Sequence, residues 1–212
     1  ITDNGFAVAR VSYQDIAPDQ NDGFQNGPGS LFPGNAYDSW GKLGVWAWGL
    51  SRIMDYLVQE ETLDAGRVAV VGHSRLGKAA LLCGAMDERF SLVIACESGA
   101  GGAALFRGKE GENVADLCRN FPYWFCGNFK KWQNREEELP FDQHFTAALA
   151  APRHLYLAGA VDDEWADPLS EFVTGQAVTP VYEMLGQQGL AADRLPSTGD
   201  VFHEGRVGFH LR

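Results

Sequence analysis

The residues best able to do chemistry stand in one short run, Gly72-His73-Ser74-Arg75-Leu76-Gly77-Lys78. The apolar stretch Arg67-Val-Ala-Val-Val71 leads into it, and Ala79 to Met86 reads as a helix behind it. Strand, Gly-x-Ser turn and helix in that order describe a nucleophile elbow, a sharp turn that lifts the serine hydroxyl above a sheet. Such a hydroxyl does acyl transfer, and the developing oxyanion then needs hydrogen-bond donors beside it. The backbone N–H of Arg75, at the start of the helix, is one candidate donor, and its guanidinium is a second. Lys78 lies one turn further on and can reach the same pocket. A helix cap is the competing reading for Ser74. The second glycine of the run falls at 77, one place later than a G-x-S-x-G pattern has it.

A nucleophilic serine works with an imidazole and with a carboxylate that orients it. Glu97 follows the apolar run Leu92–Cys96, and Asp163 follows the run His154–Gly159. Both are expected at the C-terminal ends of strands, on the edge where α/β sheets gather their catalytic groups. Glu97 could instead cap the Gly-rich turn after it, and Asp163 could be one solvated acid among Asp162, Glu164 and Asp167. The histidines are harder to place. His73 is expected to point away from the pocket and to pack in the elbow, and His144 to be structural within a helix. His203 falls in a polar loop and His210 inside the last strand. Cys83, Cys96, Cys118 and Cys126 show no metal-ligand spacing and read as mostly buried thiols. Cys118 and Cys126 are the pair to examine for a disulfide. Nothing in the sequence calls for a metal or a cofactor.

Phe6–Tyr13 is predicted to be a strand, followed by a long Gly/Pro/Asn/Asp stretch from Gln14 to Ser39, a length that loops reach mainly when they are functional. A helix is predicted over Leu43–Glu61, a polar and aromatic insertion over 112–139, and helices over Asp142–Leu149 and Ser170–Leu185. Val207–Leu211 reads as a terminal strand. Strands alternating with helices imply a parallel α/β sheet with right-handed crossovers, and 212 residues fit one domain or a large part of one. The strand ending at Val71 is expected to be buried on both faces. A net charge of −11 disfavours nucleic acid and anionic membrane as partners. No apolar run is long enough to span a bilayer.

The run Gly72–Lys78 resembles the G-x-S-R-x-G-K motif of the glucuronoyl esterases, carbohydrate esterase family 15. Further segments match the family in order: Asp22-Gly-Phe-Gln-Asn26, Gly44-Val-Trp-Ala-Trp-Gly-Leu-Ser-Arg52 and Glu97-Ser-Gly-Ala-Gly-Gly-Ala-Ala104. Phe121-Pro-Tyr-Trp-Phe125, Leu139-Pro-Phe-Asp-Gln-His144, Ala151-Pro-Arg153 and Trp165-Ala-Asp-Pro168 resemble its bacterial branch. The resemblance implies an α/β-hydrolase fold, a mostly parallel sheet flanked by helices, and a serine esterase cleaving 4-O-methyl-glucuronoyl esters between glucuronoxylan and lignin alcohols. It implies Ser74 as nucleophile, Arg75 at the oxyanion, and Glu97 at the family's acid position, with Asp163 at the position more usual in α/β-hydrolases. Lys78 and Glu112 resemble the groups that hydrogen-bond the uronate hydroxyls, and Trp165 the indole beside the ring. The implied protein is a secreted or periplasmic monomer.

In family members the base histidine follows the final strand, so it is expected beyond Arg212, with His203 and His210 as outside alternatives. The chain is accordingly expected to be a partial catalytic domain over 1–212, lacking its first strands and final helix and inactive by itself. Two other functions stay open: an acetyl-esterase or peptidase-like serine hydrolase, and a catalytically incomplete carbohydrate-binding fragment. Two cations beside the nucleophile speak against an acetyl pocket.

Overall fold

The computed structural model describes residues 2–32, 37–108 and 110–212. Five strands, β1 (Ala69–His73), β2 (Leu92–Cys96), β3 (His154–Gly159), β4 (Val201–Phe202) and β5 (Val207–Leu211), form one sheet in the order β1-β2-β3-β5-β4. The first four in that order are parallel, and β4 folds back antiparallel on β5. The helices are α1 (Tyr13–Ile16), α2 (Lys42–Leu57), α3 (Arg75–Met86), α4 (Val114–Asn120), α5 (Gln143–Ala148) and α6 (Pro168–Met184).

Register explains which side of the sheet is covered. Val70, Val93, Leu155 and Val207 align across the strands, as do Gly72, Ala95, Leu157 and Phe209. Side chains two apart share a face, and the apolar members of these rows are buried with Met54 of α2, Leu81 of α3, and Phe172 and Tyr182 of α6. On the opposite face Val71 is 63% exposed and Tyr156 is half-buried. This corrects the expectation for the first strand. Its apolar run suggested burial on both faces, but among the described residues β1 is the outermost strand and is covered on one.

A second cluster joins the polar and aromatic insertion to the front of the sheet. Leu43, Val45 and Trp46 of α2 pack with Val114, Leu117 and Trp124 of the insertion and with Ala79 and Ala100. The Trp46 indole donates to the Ala17 carbonyl at 2.9 Å, tying down the long loop. Lys42, buried in the first turn of α2, pairs with Asp22 at 2.8 Å. Burial alone would raise the Asp22 carboxyl, but Lys42, Asn26 and the Phe24 amide hold it below its ordinary range. The predicted strand over Phe6–Tyr13 is absent: residues 6–12 are exposed, unpaired chain that runs into α1.

Candidate active site

Ser74 stands between β1 and α3 with φ 56° and ψ −125°, a left-handed conformation that costs a non-glycine residue. Its amide donates to the Cys96 carbonyl at 2.9 Å and its carbonyl accepts from the Lys78 amide at 3.1 Å, so the backbone is fixed on both sides. The hydroxyl does not cap α3 and makes no hydrogen bond among the described residues. The elbow depends on its glycines for close approach. A Cβ on Gly72 would lie 2.0 Å from the Leu76 carbonyl oxygen, and one on Gly77 would lie 2.9 Å from the Ser98 Cβ. Gly77 therefore lets α3 press against the turn after β2, which accounts for its place one residue later than expected.

Arg75 is held from two directions. Its Nη1 pairs with Asp19 Oδ2, and its guanidinium carbon lies 5.1 Å and 5.6 Å from the ring centroids of Trp124 and Phe121. Those two rings are themselves stacked, 3.8 Å apart and 5° from parallel. Asp19 also accepts from the Trp124 indole at 2.8 Å. Asp19 had no signal of its own in the sequence. It sits in the long loop, 56 residues from its partner.

Lys78 and Glu112 meet directly, Nζ to Oε2, at 2.7 Å, and both are buried. The Lys78 ammonium also donates to the carbonyls of Ser98 at 2.8 Å and Ala100 at 2.5 Å. Its three protons are thus matched by three acceptors of the protein. Burial holds it below the usual lysine range, against the pull of Glu112. The Glu112 amide donates to the Trp165 carbonyl at 2.9 Å, while the Trp165 side chain stays 49% exposed. An ion pair thus joins Lys78 to Glu112, and a backbone hydrogen bond joins Glu112 to Trp165.

The two acids differ. Glu97, at φ 46°, is bonded through its amide to the Ala158 carbonyl at 2.7 Å, which fixes it at the end of β2. Its Oε2 lies 3.0 Å from His73 Nε2, and its Oε1 accepts from Arg212 at 2.5 Å. Asp163 Oδ1 accepts from the Ala166 amide at 3.1 Å and closes its own turn ahead of α6. His73 departs from its expected packed position: its side chain is 62% exposed and turned to Glu97. His210 Nδ1 is 3.1 Å from the Tyr156 hydroxyl, His154 faces Arg206, and His203 is exposed. None of these imidazoles hydrogen-bonds the Ser74 hydroxyl.

A further buried acid went unpredicted. Glu171, in the first turn of α6, is wholly buried, and its Oε1 accepts from the Ser98 amide, the Ser98 hydroxyl and the Gly99 amide at 2.7, 2.8 and 3.0 Å. Burial raises its carboxyl to about 7 despite those donors and the nearby Lys78. All four cysteines are free thiols, so Cys118 and Cys126 are not joined, and only Cys83 is fully buried. No group of three or more His, Cys, Asp or Glu among the described residues is placed to hold a metal.

A parallel sheet with a strained serine at the end of β1 and acids after the neighbouring strands defines the α/β-hydrolase class. The comparisons narrow it. The family model described as glucuronyl esterase, fungi, matches residues 1–186. A carbohydrate esterase from an unknown prokaryotic organism is 40% identical, covering 98% of this chain and 49% of that protein. A 4-O-methyl-glucuronoyl methylesterase of Podospora anserina is 37% identical over 86% of this chain and 40% of its own length. The structure of the glucuronoyl esterase from Solibacter usitatus superposes with a TM-score of 0.87 at 44% identity, covering 94% of this chain and 52% of that one. A serine-to-alanine variant of the Sporotrichum thermophile glucuronoyl esterase, held with methyl 4-O-methyl-β-D-glucopyranuronate, matches with a TM-score of 0.71 at 30% identity, over 82% of this chain and 50% of its own. The chain belongs to the glucuronoyl esterases, carbohydrate esterase family 15. It spans about half the length of the curated relatives it matches.

Proposed function

We propose that this chain carries the nucleophile and the uronate-facing wall of an esterase that cleaves 4-O-methyl-glucuronoyl esters linking glucuronoxylan to lignin alcohols. The observation that carries this reading is the strained Ser74, its hydroxyl not hydrogen-bonded among the described residues, one helical turn from the buried Lys78–Glu112 pair. In this reading the Ser74 Oγ attacks the C6 carbonyl, the ester C–O bond breaks, and the alcohol leaves with a proton. Water then releases the uronate from the serine. The amides at the start of α3 have no partners within the helix and, with the Arg75 guanidinium, would face the oxyanion. Glu97, at the family's acid position after the strand next to the nucleophile, is the acid we assign to orient an imidazole, with Asp163 in reserve; Glu97 also holds His73 and Arg212. His73, His144, His154, His203 and His210 are not assigned the base. Trp165 supplies the exposed indole for a pyranose face, and the Lys78–Glu112 pair stiffens the wall behind it.

The names of the fungal relatives and the uronate-ester complex of the Sporotrichum thermophile variant support this substrate class. A secreted or periplasmic site of action fits a polymer-bound substrate. Among the described residues no helix is long and apolar enough to cross a membrane. The test is substrate preference, measured on this chain joined to the remaining half of a family relative. Benzyl glucuronate should be cleaved faster than p-nitrophenyl acetate. The opposite order would favour a general acetyl-esterase, and sugar binding without turnover would favour a carbohydrate-binding role.

A further inference from the structure

Hydrolysis of a uronate ester turns a neutral substrate into an anion, and an arginine beside the nucleophile is a ready trap for that anion. A guanidinium takes a carboxylate through two parallel hydrogen bonds, far more strongly than it takes an ester. The surroundings of Arg75 bear on this. Its carboxylate partner Asp19 is only 7% exposed, while Arg75 itself is 36% exposed. The acid therefore lies on the inner side, and the arginine presents its remaining edge outward. Asp19 is locked by the Trp124 indole on Oδ1, at 2.8 Å, and by the Tyr123 hydroxyl on its backbone carbonyl, at 3.2 Å. Below the guanidinium lie the stacked rings of Phe121 and Trp124, which fix its plane. The other cations tied to the candidate residues are matched in the same way, Lys78 by Glu112 and Arg212 by Glu97.

We propose that Asp19 is a positioning and specificity residue: by holding Arg75 as a preformed ion pair on the Trp124–Phe121 stack, it keeps the site selective for the neutral uronate ester over the uronate anion. This rests on the uronate reading above. A neutral ester carries no net charge to the exposed edge of Arg75, while a full carboxylate arriving at the same place meets the field of Asp19 as well. The product is repelled and the ester is not.

The test is binding, on the 212-residue chain itself. Wild type, Asp19→Asn and Asp19→Glu are titrated by calorimetry with methyl D-glucuronate, D-glucuronate and acetate at neutral pH. Asn keeps an acceptor for the Trp124 indole and removes only the charge; Asp19→Ser serves if the Asn variant does not fold by circular dichroism. The expected result is about tenfold tighter D-glucuronate binding in the neutral variant, with the ester changed by no more than about twofold, and wild-type behaviour in Asp19→Glu. A merely structural role would weaken ester and acid together, and that outcome overturns the proposal, as does an unchanged affinity for the acid. Tighter acetate binding in the neutral variant without binding of either sugar would support Asp19 as the guard of Arg75 and overturn the uronate reading.

Discussion

Lys78 and Glu112 face each other at 2.7 Å, with neither side chain more than 5% exposed. The pair links the elbow helix to Glu112, whose amide is bonded to the Trp165 carbonyl, so those two segments are joined through it. Lys78 further donates to two carbonyls of the Gly-rich turn after Glu97.

Lys78→Met should therefore be costly. It removes the ammonium that pairs with Glu112 and donates to the Ser98 and Ala100 carbonyls, a loss of about 3–5 kcal/mol for breaking a buried pair. Urea unfolding should show this loss, and Lys78→Met combined with Glu112→Leu should cost clearly less than the two single losses added. Additive losses would show that the pair is not coupled.

Stability should fall as pH rises across the titration of Glu171. Its carboxyl is raised in the fold to about 7 by burial, above the ordinary glutamate value of about 4.3. The folded state thus holds a proton that the unfolded chain has already released. The contribution is complete below the unfolded value and is lost as pH rises through about 7, on the order of 3 kcal/mol in all. Asp87 works in a separate window. Arg89 and Ser51 hold it down to about 2 against burial, so its contribution is present above the unfolded value of about 3.9 and is lost as pH falls through about 2. Glu171→Gln should flatten the slope between mildly acid and mildly alkaline pH; an unchanged slope would assign it to another group.

The conformation of Ser74 predicts an unusual stability result. Ser74→Gly should leave stability unchanged or raise it by up to about 1 kcal/mol, because glycine adopts a positive φ without strain. Ser74→Val should lose more than about 2 kcal/mol, since a branched side chain suits that backbone least. Thermal unfolding compares them, and a destabilised glycine variant would mean that the hydroxyl holds structure.

The strands and the elbow were legible because they rest on local pattern. Leu92–Cys96, His154–Gly159 and Val207–Leu211 are short apolar runs bounded by turn residues, and each is a strand over those bounds. The same logic failed at Phe6–Tyr13, where alternation suits a strand but the chain finds no partner edge among the described residues. β4 was missed because two residues carry no pattern. Asp19 and Glu171 were missed for a different reason. Their partners lie 56 and about 70 residues away, and an acid in a polar loop or in a first helical turn looks solvated until the fold buries it. His73 shows the reverse case: its place just before Ser74 suggested a packed elbow residue, yet its side chain is 62% exposed and in contact with Glu97.

The central claim is that Ser74 is the nucleophile of a uronate-ester site, and one substitution tests it most directly. Ser74→Ala should be made in this chain joined to the remaining half of a family relative, and benzyl glucuronate turnover and methyl glucuronate binding measured together. A covalent role for the hydroxyl predicts that turnover vanishes while binding stays nearly intact. Turnover that persists at more than a few per cent of the parent rate in the alanine protein would contradict the account and remove Ser74 from its role.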